Sequence, residues 1–298
     1  MVGTPPPALS VPYAIAFWDR SHGLLGTGTC FQAIYETCRT GTIQITSNGG
    51  RSFRVVLRTP RPVVTLQTAG PRGAIATTDG GTSFRTLDGG RVWKPLRLRY
   101  ESSFATPQIA LGFRRYLTHD HLALALMATS DGGKTWRERA SPCAQAIAFD
   151  ALIDLVTPSV GWLVCLGEPG AGNQEKAVFH TVDGGRSWHA GAAAVYYPRR
   201  NVHGGIAGFG YPQGAAFAVD GFGLLWESRG TLYVTRDGGD HWHAEPSVAR
   251  PELDFGRGAA AFAGGRGLLL LGRGGSLPAR LLSTGDSGRS WRLIHRWG

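Results

Sequence analysis

The segment Thr181-Val182-Asp183-Gly184-Gly185-Arg186-Ser187-Trp188 returns in close variants along the whole chain, and it restricts the fold more than any other feature. Copies run from Thr46 to Phe53, Thr86 to Trp93, Thr129 to Trp136, Thr235 to Trp242 and Thr284 to Trp291, in the pattern hydroxyl-x-Asp-x-Gly-x-x-aromatic. The first copy carries Asn48 where the others carry Asp88, Asp131, Asp183, Asp237 and Asp286. A chain built on such a period is a repeat protein, each repeat one supersecondary unit that cannot bury its apolar face alone. Within one copy the carboxylate accepts hydrogen bonds from turn amides, and the glycines permit the positive φ of a tight hairpin. The terminal aromatic residue is suited to the gap between neighbouring units. Truncating it to Ala is expected to cost ~3–5 kcal/mol, and loss of the Asp bonds ~1–3 kcal/mol. These roles account for the box as structure, without catalysis or ligand binding.

Taking each box as the turn between the third and fourth strands places the rest. In the first unit the expected strands are Tyr13 to Trp18, Gly23 to Thr29, Gly41 to Thr46 and Arg51 to Leu57. The second unit compresses this to Val63 to Thr68, Gly73 to Thr78, Thr82 to Thr86 and Arg91 to Leu96. An extra box-like string, Thr77 to Phe84, begins nine positions before a true box and is read as the turn between strands two and three. Counting from Asp88, boxes follow at intervals of 43, 52, 54 and 49 residues. Such spacing per four-stranded sheet is the propeller signature. The expected fold is all-β, a single β-propeller of six four-stranded blades over residues 13–298, preceded by a Pro-rich segment, 1–12. A seventh, degenerate blade between Ala190 and Gly214 stays open. The 44 glycines supply the turns that short strands need, and no apolar run of about 18 residues indicates a membrane-spanning helix.

The boxes resemble the Asp-box, or BNR, repeats of sialidase-like propellers. The wider phrasing, Gly73-Ala74-Ile75-Ala76-Thr77-Thr78-Asp79-Gly80 followed by Phe84-Arg85-Thr86-Leu87-Asp88-Gly89-Gly90-Arg91-Val92-Trp93, is similar to the photosystem II stability and assembly factor family. This resemblance implies a non-catalytic assembly propeller that holds a membrane-protein segment through an Arg-rich surface. The same box occurs in glycosidases and sorting receptors, so it speaks to fold rather than function.

Four cysteines without a C-x-x-C motif favour two disulfides, Cys30 with Cys38 and Cys143 with Cys165, and an extracytoplasmic compartment. Met1-Val2-Gly3-Thr4-Pro5-Pro6-Pro7 has neither the cationic start nor the apolar core of a secretion signal, which leaves a leaderless cytoplasmic form as the alternative.

The formal charge is +10, carried by 28 arginines against three lysines, Lys94, Lys134 and Lys176. An anionic partner fits this balance: an acidic protein surface, a carboxylated glycan or an anionic membrane face. No recognition helix or basic run points to nucleic acid. In a propeller the connections from one blade to the next share an end with the turns between strands two and three, opposite the boxes. Arg58, Arg61, Arg97, Arg99, Tyr100, Glu101, His119, Asp120, His121, Tyr196, Tyr197, Arg199, Arg200, His203, Arg229, Arg250 and Arg257 fall on that loop end. Arg and Tyr are enriched at interface hot spots. The expected partner-binding residues are Arg58, Arg61, Arg99, Tyr100, Tyr196, Tyr197, Arg199, Arg200, Arg250 and Arg257.

A sialidase-type glycoside hydrolase, or a glycan-binding propeller, is the competing reading. It requires an arginine triad, a Tyr–Glu pair and an acid/base Asp. The sialidase string Phe-Arg-Ile-Pro is absent, its nearest counterpart being Phe53-Arg54-Val55-Val56. The candidate acids Glu101, Asp120, Glu168, Glu175, Glu227, Glu252 and Asp254 show no pairing by spacing. His119-Asp120-His121 and His241-Trp242-His243 each offer two imidazoles but no third ligand, so no metal and no cofactor is expected.

Overall fold

The computed structural model describes residues 8–31, 37–118, 122–144, 149–196, 200–228, 231–246, 248, 258–263, 265–272 and 279–298. The fold is all-β, a β-propeller of six blades, with no α-helix among the described residues. Blade one comprises β1 (Ala8–Phe17), β2 (Gly23–Phe31), β3 (Thr37–Thr46) and β4 (Arg54–Thr59); blade two comprises β5 (Val63–Thr68), β6 (Ala74–Thr78), β7 (Ser83–Thr86) and β8 (Lys94–Leu96). Blade three contains β9 (Glu101–Phe104), β10 (Ala110–Leu117), β11 (Leu122–Thr129) and β12 (Arg137–Arg139). Blade four contains β13 (Asp150–Leu155), β14 (Gly161–Leu166), β15 (Lys176–Thr181), β16 (His189–Val195) and β17 (Asn201–His203). Blade five is β18 (Pro212–Phe217), β19 (Gly223–Glu227), β20 (Leu232–Thr235) and β21 (Trp242–Ala244), and blade six is β22 (Gly258–Ala263), β23 (Arg266–Leu271), β24 (Arg280–Thr284) and β25 (Arg292–Arg296).

The stretch considered for a seventh blade instead supplies β17, a fifth strand on blade four that pairs Val195 with Asn201. The first strand begins at Ala8 rather than Tyr13, pairing as far as Phe31 on β2. The fourth strands of blades one and two start at Arg54 and Lys94, three residues later than expected. The reason lies in the box: the amides of Arg51 and Ser52 donate to Asn48 Oδ1 at 3.1 and 3.0 Å, and those of Arg91 and Val92 to Asp88 Oδ1 at 3.0 Å each. Amides pinned to the box side chain are not free to enter a ladder. The box-like string at Thr77 does lie between strands two and three, and its turn closes by Gly81 N–H to Thr78 O at 2.9 Å rather than around the Asp79 carboxylate.

The six true boxes share one wiring. The Thr hydroxyl donates to the side-chain oxygen of the central Asp or Asn at 2.7–3.0 Å, while accepting the amide of the second glycine at 2.9–3.0 Å. In five copies the first glycine's amide reaches a carbonyl in the turn between strands one and two of its own blade, as Gly184 to Ser159 at 2.8 Å and Gly89 to Arg72 at 2.8 Å. In the sixth copy Ser287 takes the left-handed position, at φ 55°. The second glycine has a further reason to be glycine. A Cβ on Gly185 would stand 2.9 Å from Leu111 of the preceding blade, and one on Gly239 2.9 Å from Val178. The box is therefore a hairpin turn and a close inter-blade contact at once.

Two compact units divide the chain, Met1–Arg97 with Arg257–Gly298, and Leu98–Gly256. In the first, Ile15, Phe17 and Leu25 pack with Leu268, Leu270 and Leu281 between blades one and six. Leu24 and Ile43 meet Val63, Ala74 and Ala76 between blades one and two. In the second, Leu111, Phe113, Leu124 and Leu126 pack with Leu155, Leu163 and the Cys143–Cys165 pair. Trp162, Phe217 and Trp242 form the seam between blades four and five, with Trp162 stacked on Phe217 at 4.8 Å. The second disulfide joins Cys30 to Cys38 across β2 and β3.

The box carboxylates are held ionised. Hydrogen bonds from Thr135 lower Asp131 to about 2, and those from Ser187 and Ser290 hold Asp183 and Asp286 well below the usual range. Asp88 is lowered by the amide of Val92, and Asp237 by the amide and ring of His241, which outweigh a burial effect of opposite sign. A carboxyl whose pKa is lower folded than unfolded contributes stability that is complete above the unfolded value near pH 4 and is lost as pH falls through the folded value. Denaturant midpoints should therefore fall steeply from about pH 4 to about pH 2. Asp183→Asn, which installs the residue of the first box, should flatten that limb by up to one proton. A limb as steep as wild type in this variant would remove Asp183 from the account.

Candidate partner-binding end

The loop end of the second unit is shaped by a strand-length mismatch. β9 covers β10 only as far as Phe113, and β12 covers β11 only from Leu126 to Ala128, yet β10 and β11 stay paired out to Leu117 and Leu122. The end of this hairpin thus extends past its sheet neighbours as a short arm: the last four residues of β10, Arg114, Arg115, Tyr116 and Leu117, are exposed, while Leu124 and Ala125 opposite the two arginines on β11 stay buried. Leu117 is 81% exposed and Tyr116 42%. Arg115 ties the arm to the innermost strands of two blades, at 3.1 Å from Glu101 and 2.6 Å from Asp150. Arg114 pairs with Glu138 at 2.8 Å and lies over the Tyr116 ring at 5.4 Å.

The same end holds a second projection. β16 pairs antiparallel with β17, so Tyr196 and Arg200 lie at the facing ends of two paired strands of one sheet rather than in a connection between blades. Both are exposed, and the Tyr196 amide is fixed to Glu175 Oε1 at 2.5 Å. Tyr197 and Arg199, together with Arg250, Arg257, His119, Asp120, His121 and Arg229, lie outside the described residues. His203 departs from expectation: as the last residue of β17 it bonds the carbonyl of Gly191 at 2.9 Å, on the strand's return towards the boxes. Tyr100 is half-buried, its ring edge-on to box residue Trp136 at 5.2 Å with Arg99 5.6 Å above it, so it belongs to packing as much as to surface. In the first unit Arg58 is exposed on β4, and Arg61 is exposed beside Gly80 of the next blade's turn.

Sequence reasoning missed Arg114 to Leu117, although Arg-Arg-Tyr-Leu shares an arginine pair and a tyrosine with the Tyr-Tyr-x-Arg-Arg string it singled out. It also missed a buried ion pair. Lys176 of β15 and Glu227 of β19, both wholly inaccessible, meet between blades four and five. Lys176 Nζ donates to Glu227 Oε1 and to the Phe209 carbonyl at 3.1 Å. Burial pushes the ammonium down and the carboxyl up, and their mutual attraction opposes both shifts. Glu227, expected among surface acids, is thus an internal group. His241, considered as half of a metal pair, bonds Asp237 Oδ2 at 2.8 Å as part of its box.

Solved structures similar to this chain are β-propellers. A six-bladed fungal lectin from Aleuria aurantia has a TM-score of 0.59 at 12% identity, covering 97% of this chain and 96% of its own. YCF48 from Cyanidioschyzon merolae has a TM-score of 0.50 at 16% identity, covering 94% and 96%. A structure of YCF48 bound to D1 peptide has a TM-score of 0.48 at 17% identity, covering 98% and 83%. No protein-family model matches the sequence, and no curated protein matches it. At these identities the likeness is one of fold, which leaves function to be argued from this chain's own side chains.

Proposed function

We propose that this protein is a non-catalytic, extracytoplasmic binding propeller whose loop end holds an anionic segment of a protein partner, as an Asp-box assembly factor would hold part of a membrane complex. The observation that carries this reading is the β10–β11 arm, which presents Tyr116 and Leu117 to solvent beside two arginines whose ion pairs, with Glu138, Glu101 and Asp150, are solvent-exposed and so open to exchange with a partner's carboxylates. Exposed aromatic and aliphatic area flanked by guanidinium groups is the composition of an interface centre, where apolar contact supplies area and Arg supplies directional bonds to carboxylates. Tyr196 at 48% exposed and Phe209 at 50% extend the apolar surface on neighbouring blades of the same unit. Two disulfides support an oxidising compartment. The hydrolase reading needs two carboxylates at a solvent-filled cleft, and the buried Glu227 is unsuited to serve as one of them.

The test uses tagged protein expressed in its native host, cross-linked and purified at low salt. Wild type should retain a defined protein partner. Leu117→Ser combined with Arg199→Ala and Arg200→Ala should lose it while the melting temperature stays within a few degrees, because Leu117 and Arg200 are exposed. Equal retention by this variant at physiological salt, or release of sugar from a glycan panel by the pure monomer, would refute the proposal.

A further inference from the structure

At the box end of the second unit, away from the arm, a cleft of about 290 Å³ opens between blades three and four. Its floor is aliphatic, formed by Ile109, Leu111 and Leu155, and its rim carries Arg137, Arg139 and Arg186. Strand alternation explains the charge: β12 turns Arg137 and Arg139 to one face and Glu138 to the other, where Glu138 pairs with Arg114. Two box acids adjoin the cleft: Asp131 is engaged as a hub by Thr129 and Thr135, and Asp183 by Thr181, Arg186 N–H and Ser187. Arg186 is steadied by an Nη1 bond to the Asp183 carbonyl at 2.7 Å. Among the described residues neither Arg137 nor Arg139 has an ion-pair partner. Three guanidinium groups therefore border one recess with an aliphatic floor and hydroxyl walls, against two ionised box carboxylates, Asp131 and Asp183, that are occupied by their own turns.

We infer that this cleft is a second binding site, which takes an acidic peptide segment by one aliphatic side chain in the floor and flanking carboxylates on the arginines. The size suits a side-chain anchor, since pockets that enclose a whole small ligand run from roughly 300 to 1,000 Å³. The lining contains no aromatic ring on which a sugar face would stack. Guanidinium forks match carboxylates in two directional bonds, and each charge-assisted bond contributes enough that losing two should weaken binding at least about tenfold.

The probe is the blocked pentapeptide Ac-Ala-Glu-Leu-Glu-Ala-NH2, titrated by NMR into the full chain. Shifts should concentrate at Ile109, Leu111 and Leu155. Arg137→Gln with Arg139→Gln should weaken binding at least about tenfold, and so should the single charge reversal Arg137→Glu if the double variant folds poorly. The Leu117→Ser, Arg199→Ala, Arg200→Ala variant should bind the peptide as wild type does, which separates this site from the loop end. Undiminished binding by both cleft variants, equal binding of the Gln-for-Glu peptide, or displacement by glucuronate at lower concentration than the peptide itself would overturn the inference.

Discussion

Glu227→Ala is expected to lower the unfolding free energy by about 3–5 kcal/mol, because it leaves the Lys176 ammonium buried without its counter-ion. Both side chains have no accessible surface. The chain crosses directly over the carboxylate: Gly210, at φ +84°, has no room for a Cβ, which would stand 2.5 Å from Glu227 Oε2. Water therefore has no open route to solvate a stranded charge. Lys176→Ala should be comparably damaging, since Glu227 Oε2 already has no hydrogen-bond partner and the loss of Lys176 would strip Oε1 as well. The pair itself contributes much less than either single substitution removes, because desolvating two ions offsets most of their attraction. The double change Lys176→Met, Glu227→Leu should accordingly return to within about 1–2 kcal/mol of wild type, or exceed it. Urea midpoints of the four proteins form the cycle that measures this coupling. A Glu227→Ala loss below about 1 kcal/mol, or a double variant no better than the singles, would mean that the site admits water and the pair is not a buried ionic contact.

The pair shows why the sequence reveals the repeat and conceals its exceptions. The box is local: the Thr hydroxyl, the Asp or Asn side chain and the second glycine's amide bond one another within eight positions, so six turns and six blades follow from the string itself. Lys176 and Glu227 lie 51 positions apart on strands of different blades, and nothing in the separation of one lysine from one glutamate marks them as partners. The second role of each box, the approach of Gly185 or Gly239 to an aliphatic side chain of the preceding blade, is likewise a between-blade fact. Positive φ explained those glycines sufficiently from sequence, and the contact adds a requirement that no propensity encodes.

The candidate site was legible in outline for similar reasons. Chain direction in a propeller assigns each connection to an end, so the order of strands sends Tyr196 and Arg200 to the loop end, but it puts them in a connection between blades where the structure has β16 pairing with β17 of the same blade. The arm could not, because it depends on β9 and β12 stopping short of β10 and β11, and strand length is a matter of which neighbours continue the ladder. Tyr100 reads as a surface aromatic in sequence, and only the position of Trp136 turns its ring inward.

The box aromatics should differ in stability effect according to seam, with Trp242→Ala costing about 3–5 kcal/mol and Trp188→Ala at least about 1 kcal/mol less. Trp242 is 2% exposed, donates its indole N–H to Gly239 O at 3.0 Å, and stands edge-on to Phe217 at 5.9 Å. Phe217 in turn stacks on Trp162, whose indole N–H reaches the Gly238 carbonyl at 2.7 Å in the same box. Removing the Trp242 ring thus opens a cavity and withdraws one wall of a three-ring stack, where an aromatic pair adds about 0.5–1.5 kcal/mol beyond its buried area. Trp188 occupies the same box position but is only half-buried, and its indole nitrogen is enclosed without a hydrogen-bond partner, so truncation also relieves an unsatisfied donor. Denaturant unfolding of the two single variants measures the order directly. Trp188→Ala as destabilising as Trp242→Ala would mean that the box aromatic acts through its own turn, whichever seam it enters, and that the ring stack between blades four and five adds nothing to it.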